Sequence, residues 1–327
     1  MMGMGARDGR AWRRAVWLLL AAGLIAGPAR AAKIEDLVAW SLEKNAAGAL
    51  AVLGISAVPS ETASALIVNT GTRPRDGSDF QAAQLGGGFT WSEAFPLYLE
   101  GYIGYNRYVP SFVLTEGQQS SRFLPKWTGV AATGGIGWDV RLGENLVIRP
   151  MLNVTLGQIA SDTAFVAAFI ADRLDADELH FVRDGGLTAG GLGGSLVLAY
   201  DRSFANDVQV DWTLRYTNIH LKPIAGDRGV VASADAETLA FWSRLRLPTD
   251  WQAFGRPIRS VSEFSASWLP GDQGDILNTD WLAQIGFGYE IDVSETSIPW
   301  ITKGRAMFRY TRGDVLEGWG LGLAVSF

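Results

Sequence analysis

From about residue 48 to the end of the chain, apolar residues recur at every second position over stretches of about ten residues or more. Between 279 and 293, Trp281, Ala283, Ile285, Phe287, Tyr289, Ile291 and Val293 alternate with Gln284, Gly286, Gly288, Glu290 and Asp292. Leu146, Ile148, Leu152, Val154 and Leu156 oppose Arg149, Asn153 and Thr155 in the same way. Val208, Val210, Trp212, Leu214 and Tyr216 oppose Gln209, Asp211 and Arg215. Successive side chains of a strand point to opposite faces, so each stretch predicts a strand with one apolar face. Twelve strands are predicted, at 48–58, 79–91, 96–109, 126–142, 145–160, 186–202, 206–221, 235–247, 257–269, 279–293, 298–312 and 316–327. For the first, the neighbouring stretch 61–69, with Ala63, Leu66 and Ile67, either extends or replaces 48–58.

The connections sort by parity. After the second, fourth, sixth, eighth and tenth strands they are mostly short: 92–95, 143–144, 203–205, 248–256 and 294–297. After the first, third, fifth, seventh and ninth they are longer: 59–78, 110–125, 161–185, 222–234 and 270–278. Only the last, 313–315, breaks the rule by being short. Two segments do not alternate. In 33–45, Ile34, Leu37, Val38 and Leu42 fall at helical spacing with Glu35, Asp36, Glu43 and Lys44 elsewhere, which predicts a short amphipathic helix or a leader segment. Stretch 165–179 (FVAAFIADRLDADEL) allows a second short helix within a long connection.

Composition decides what the apolar faces contact. The chain is 48% hydrophobic, with 39 Gly and 13 Trp, yet after residue 31 it has no run of about 18 apolar residues that would cross a bilayer as a helix. Arg10, Arg13 and Arg14, the short apolar run 15–27 and the small residues Ala29 and Ala31 have the layout of a cleaved secretory signal peptide over 1–31. An exported, glycine-rich chain with short turns at one end and long loops at the other fits an all-β fold: a transmembrane antiparallel up-and-down β-barrel with a short N-terminal helix. The expected organisation is 1–31 signal, 32–47 helix or leader and 48–327 barrel, with the long loops outside and the short turns in the periplasm. Trp91, Trp138, Trp268, Trp281, Trp300 and Trp319 lie near strand ends, where interfacial girdles sit. Without residues 1–31 the chain carries 23 basic and 33 acidic residues, a net charge of −10, which argues against a nucleic-acid partner. With no cysteine there is neither a disulfide framework nor a thiolate metal site.

The final strand places Trp319, Leu321, Leu323, Val325 and Phe327 on one face and Gly318, Gly320, Gly322, Ala324 and Ser326 on the other. Its terminal Phe resembles the terminal signal of Gram-negative outer-membrane β-barrels, which their assembly machinery reads. With this strand, the predicted signal, the short helix and the stretch 97–108 (LYLEGYIGYNRY), the chain resembles the translocator barrel of autotransporters over roughly 46–327. It is more similar still to solitary autotransporter-like barrels without a passenger, since about fifteen residues separate signal from barrel. The resemblance implies outer-membrane lipid and the barrel-assembly machinery as partners, and no cofactor.

Alternation sends Glu100, Asp139, Asp211, Glu263, Glu290 and Asp292 to the lumen, with Arg141, Arg149, Arg215, Arg244, Arg246, Lys303, Arg305 and Arg309. Buried charges need partners. These residues either brace a narrow barrel through salt bridges or line a small pore whose basic strip favours anions. Catalytic chemistry is sparse. The chain has two histidines: His180 lies near Asp175, Asp177 and Glu178 in a long loop, and His220 near the outer end of the seventh strand. Neither stands in a pattern that pairs a base with a serine nucleophile, although a phospholipase-like lipid hydrolase and a binding role for the outer loops remain alternatives. Deleting Phe327 should lower the yield of barrel in the outer membrane and leave unfolded chain in the periplasm, as cell fractionation would read.

Overall fold

The computed structural model describes residues 46–61, 65–69, 79–109, 112–116, 119–123, 126–161, 186–225, 232–293 and 303–326. A helix, α1, occupies 46–57. The strands follow as β1 (Ala65–Asn69), β2 (Asp79–Thr90), β3 (Leu97–Val109), β4 (Phe112–Glu116), β5 (Gln119–Phe123), β6 (Trp127–Trp138), β7 (Val140–Arg141), β8 (Leu146–Ser161), β9 (Gly186–Ser203), β10 (Gln209–Ala225), β11 (Ala234–Ala253) and β12 (Arg256–Trp268). After the short helix α2 (Asp272–Leu277) come β13 (Trp281–Asp292), β14 (Lys303–Gly313) and β15 (Glu317–Ser326).

Twelve strands close into one antiparallel ring. Each main strand pairs with its sequence neighbours, β6 pairs with both β3 and β8, and β1 pairs with both β2 and β15. β7 continues β6 past Asp139, and β4–β5 is a separate hairpin in the connection from β3 to β6. Ring closure gives each of the twelve strands a neighbour on both sides, through the short β1 at the seam, which is how a sheet meets the demands of lipid.

Burial alternates along the strands, and the exposed side chains are apolar. Leu85, Ile103, Leu152, Leu156, Leu192, Phe287, Leu321 and Leu323 are all more than half exposed. A continuous apolar exterior on this scale marks a lipid-facing surface. Aromatic contacts run across the same exterior: Trp212 stacks on Tyr200 at 5.5 Å and Trp319 on Phe308 at 5.1 Å.

The first predicted strand is not a strand. Residues 48–58 lie almost wholly within α1, and the ring takes 65–69 instead, inside the neighbouring stretch named above. The sequence of 46–58 (AAGALAVLGISAV) is apolar on every side, the mark of a helix buried all round. Leu50, Val52 and Leu53 are fully buried against Phe80, Tyr108, Ile159, Leu187, Ile219 and Leu221. These partners lie toward the long-loop ends of their strands, so α1 fills that half of the bore. Each such leucine or valine contributes about 1.5–3 kcal/mol through burial. The wall is built to admit the helix at Gly104, where an added Cβ would lie 2.3 Å from the Ser56 carbonyl oxygen. Predicted helix 33–45, the signal segment, the possible helix at 165–179 and the terminal Phe327 lie outside the described residues.

A second difference concerns the turn expected at 248–256. β11 runs on to Ala253 through a register shift between Pro248 and Gln252, and only Phe254 and Gly255 form the turn. Both have positive φ, 54° and 74°, as a two-residue type I′ hairpin requires.

Gly104→Val should push α1 away from the wall and cost about 1–3 kcal/mol, as overpacking does. Gly101→Val is the control, because its Cβ would meet nothing within 4 Å. Urea unfolding followed by heat-modifiable gel migration should separate the two variants.

Candidate functional site

Below α1, in the half of the bore nearest the short turns, the filling changes from apolar to charged. Glu100 on β3 receives both ends of the Arg215 guanidinium from β10, Nη1 to Oε2 at 2.9 Å and Nη2 to Oε1 at 2.6 Å. Three strands, β6, β8 and β9, separate β3 from β10 around the ring, so this pair bridges the interior. Asn153 donates to Glu100 at 3.1 Å and Ser195 to Asn153 at 2.7 Å, while Arg215 also donates to Ser195 and Thr217 at 3.1 Å each. With side-chain exposures of 3% and 0%, Arg215 and Glu100 form a fully desolvated, two-pronged pair.

On the opposite wall, Glu263 of β12 accepts from Arg309 at 2.7 and 3.0 Å and from Arg244 at 2.8 Å, with Arg305 at 3.7 Å. Glu290 of β13 accepts from Arg305 at 2.7 and 3.0 Å and from Arg246 at 3.3 Å, with Lys303 at 3.9 Å. Asp211 is bonded to Arg246 and lies 3.6 Å from Arg244. Asp139 is bonded to Arg149, whose guanidinium stacks 3.4 Å over the Tyr98 ring. Thr90 donates to the same carboxylate at 2.6 Å. The arginines are thus shared among acids rather than lined up along an open path.

Twelve of the fourteen charged candidates sit in these clusters, and two do not. Arg141 is exposed beside the short turn before β8 and pairs with exposed Glu93 at 3.0 Å. Asp292, at the end of β13, is half-exposed and lies 3.7 Å from Arg256. On the last strand Trp319, Leu321 and Leu323 are exposed on the apolar exterior, while their neighbours Gly318, Gly320 and Gly322 are buried. Val325 falls on β15.

Sequence reasoning missed the groups that join the two halves. A helix leaves its last four carbonyls without intrahelical partners, and wall side chains meet those of α1. Thr133 donates to the Ala57 carbonyl at 2.6 Å and Gln84 to the Val58 and Ser56 carbonyls at 2.9 and 3.3 Å, while Asn106 adds a bond to the Val52 carbonyl within the helix at 2.7 Å. Glu61, just past the helix, reaches Arg215 at 3.7 Å. The signal was a buried-type polar residue on an inward register position, visible only once the helix is known to be there.

His220 Nδ1 lies 2.7 Å from Asp235 Oδ1 on the partly exposed outer end of β10, and among the described residues no serine hydroxyl is bonded to it. His180 and its acidic neighbours lie outside the described residues. Among the described residues no group of three His, Asp or Glu side chains is placed to hold a metal ion.

No family model and no curated protein matches the sequence. Solved structures similar to the chain include the β domain of the Bordetella autotransporter BrkA, at 13% identity and TM-score 0.44, covering 81% of this chain and 96% of that one. The translocator domain of the autotransporter NalP from Neisseria meningitidis aligns at 12% identity and TM-score 0.39, covering 90% and 98%. The transport unit of the autotransporter AIDA-I from Escherichia coli aligns at 13% and 0.42, covering 80% and 87%.

Removing one partner of a buried pair strands the other charge. Arg215→Met should therefore cost about 3–5 kcal/mol, and adding Glu100→Gln should recover most of it. Urea titrations of the two single variants and the double variant, read by tryptophan fluorescence, would measure the coupling.

Proposed function

We propose that this protein is an outer-membrane β-barrel of autotransporter-like type, closed by its own helix and acting as a structural barrel rather than an open channel. The observation that carries the reading is α1: an apolar helix buried inside the long-loop half of the bore, with Gln84 and Thr133 bonded to carbonyls at its C-terminal end and Asn106 to the Val52 carbonyl within it. Water and ions do not pass through space filled by leucine and valine side chains. The ion pairs below it support the same reading, because Arg215, Arg244, Arg246, Arg305 and Arg309 are each held by a carboxylate and Arg259 donates to Gln209. They leave no free row of cations to attract an anion.

A narrow passive pore is the second reading, and the charged half of the lumen is what favours it. Planar-bilayer recording separates the two. The mature protein should give no stepwise conductance, and Leu50→Asp with Leu53→Asp should introduce steps by bringing charge and water into the plug. Steps of equal size in both proteins would replace the closed barrel with the pore. Among the described residues, the His220–Asp235 pair is the foothold for a lipid hydrolase. Phospholipid hydrolysis that disappears in His220→Ala would make the barrel an enzyme.

A further inference from the structure

The space between α1 and the wall of the ring is not filled evenly. On the side of β2, β11, β12, β13 and β14, a cavity of about 190 Å³ remains beside Ile55 and Val58. Aliphatic and aromatic side chains line most of it, among them Phe80, Ala240, Leu269 and Leu282. Its polar side chains are largely engaged. Gln273 donates to Thr238 at 2.9 Å, Gln284 donates to Thr311 at 2.7 Å, and Glu61 faces Arg215 at 3.7 Å.

Trp242 is the exception. It lines the same cavity and is only 6% exposed, yet its indole Nε1 has no hydrogen-bond partner among the described residues. A buried tryptophan N–H ordinarily finds an acceptor. A buried donor of this kind, beside an unfilled apolar space, can be satisfied by an acceptor on a bound molecule.

We infer that this cavity binds a compact apolar molecule carrying one hydrogen-bond acceptor, with Trp242 Nε1 as the donor. Size sets the class. A dry cavity of about 150 Å³ accepts benzene, and drug-sized ligands need roughly 300 Å³ or more. A single aromatic ring bearing a carbonyl oxygen fits between these limits, whereas a full lipid acyl chain does not. Apolar walls exclude free ions, which would lose their hydration without replacement. The closed-barrel reading does not require such a site, so the two stand or fall separately.

The test uses the mature barrel in detergent and two probes, 4-fluoroacetophenone and fluorobenzene, followed by fluorine NMR. Saturable binding of 4-fluoroacetophenone above micelle partitioning is expected. Ser267→Leu, which places a larger side chain at a lining position, should abolish it. Trp242→Phe should weaken 4-fluoroacetophenone about three- to tenfold, the effect of one lost hydrogen bond, and leave fluorobenzene unchanged. Heat-modifiable migration verifies that each variant folds. If Ser267→Leu does not fold, the two probes on Trp242→Phe decide alone. No saturable binding, binding unaffected by the variants, or equal weakening of both probes by Trp242→Phe would overturn the proposal.

Discussion

In a bilayer no water is at hand for a backbone N–H or C=O, and that single condition shapes this chain. The sheet meets it by closing: β1 bonds to β15 on one side and β2 on the other, and β6 bonds to β3 and β8. Once twelve strands form a ring, its interior is wider than side chains alone ordinarily fill, because barrel diameter grows with strand number. The chain fills this space in two ways. Toward the long loops it inserts a helix, and toward the short turns it builds ion pairs across the bore. Everything distinctive about the interior follows from having a ring of this size to fill.

The exterior was legible because lipid imposes a simple rule on every strand. Alternation located eleven of the twelve strands, and loop parity gave their up-and-down order. The first strand failed for a physical reason. Residues 46–58 are small and apolar throughout, and a short apolar run satisfies a buried helix as well as a buried strand. Nothing in the local pattern reports whether its neighbours are lipid or the inside of a barrel. The turn of β11 into β12 failed differently: Phe254 adopts positive φ, a conformation an aromatic residue rarely takes, so its sequence gives no turn signal.

The charged interior was legible as a set of residues and illegible as a set of pairs. That Glu100 and Arg215 face inward follows from their neighbours in the chain. Their bond depends on strands that are distant in sequence and meet only across the bore. Glu290 receives Arg305 because β13 and β14 are adjacent and in register at those positions. Arg309, on the same face of β14, turns instead to Glu263, two strands away. Adjacent-strand pairs can be guessed from alternation; diagonal and cross-bore pairs need the register of the whole ring.

The two fillings also differ in how they respond to water, and this bears on what the barrel can do. Carboxylates and guanidinium groups that lose a partner can be solvated again, so the short-turn half would tolerate an open, hydrated state. The long-loop half would not. Its inward positions include Ala131, Leu187, Ala189, Ile219, Leu221, Ala234 and Ala236, and withdrawing α1 would expose that surface together with Leu50, Val52 and Leu53. At about 25 cal/mol per Å² of apolar area, the cost of wetting such a surface opposes opening. A pore meant to stand open would place polar residues at these positions, as the other half of this same bore does. The apolar inward row is therefore a property of the wall that argues for a resident helix, independent of the contacts the helix itself makes.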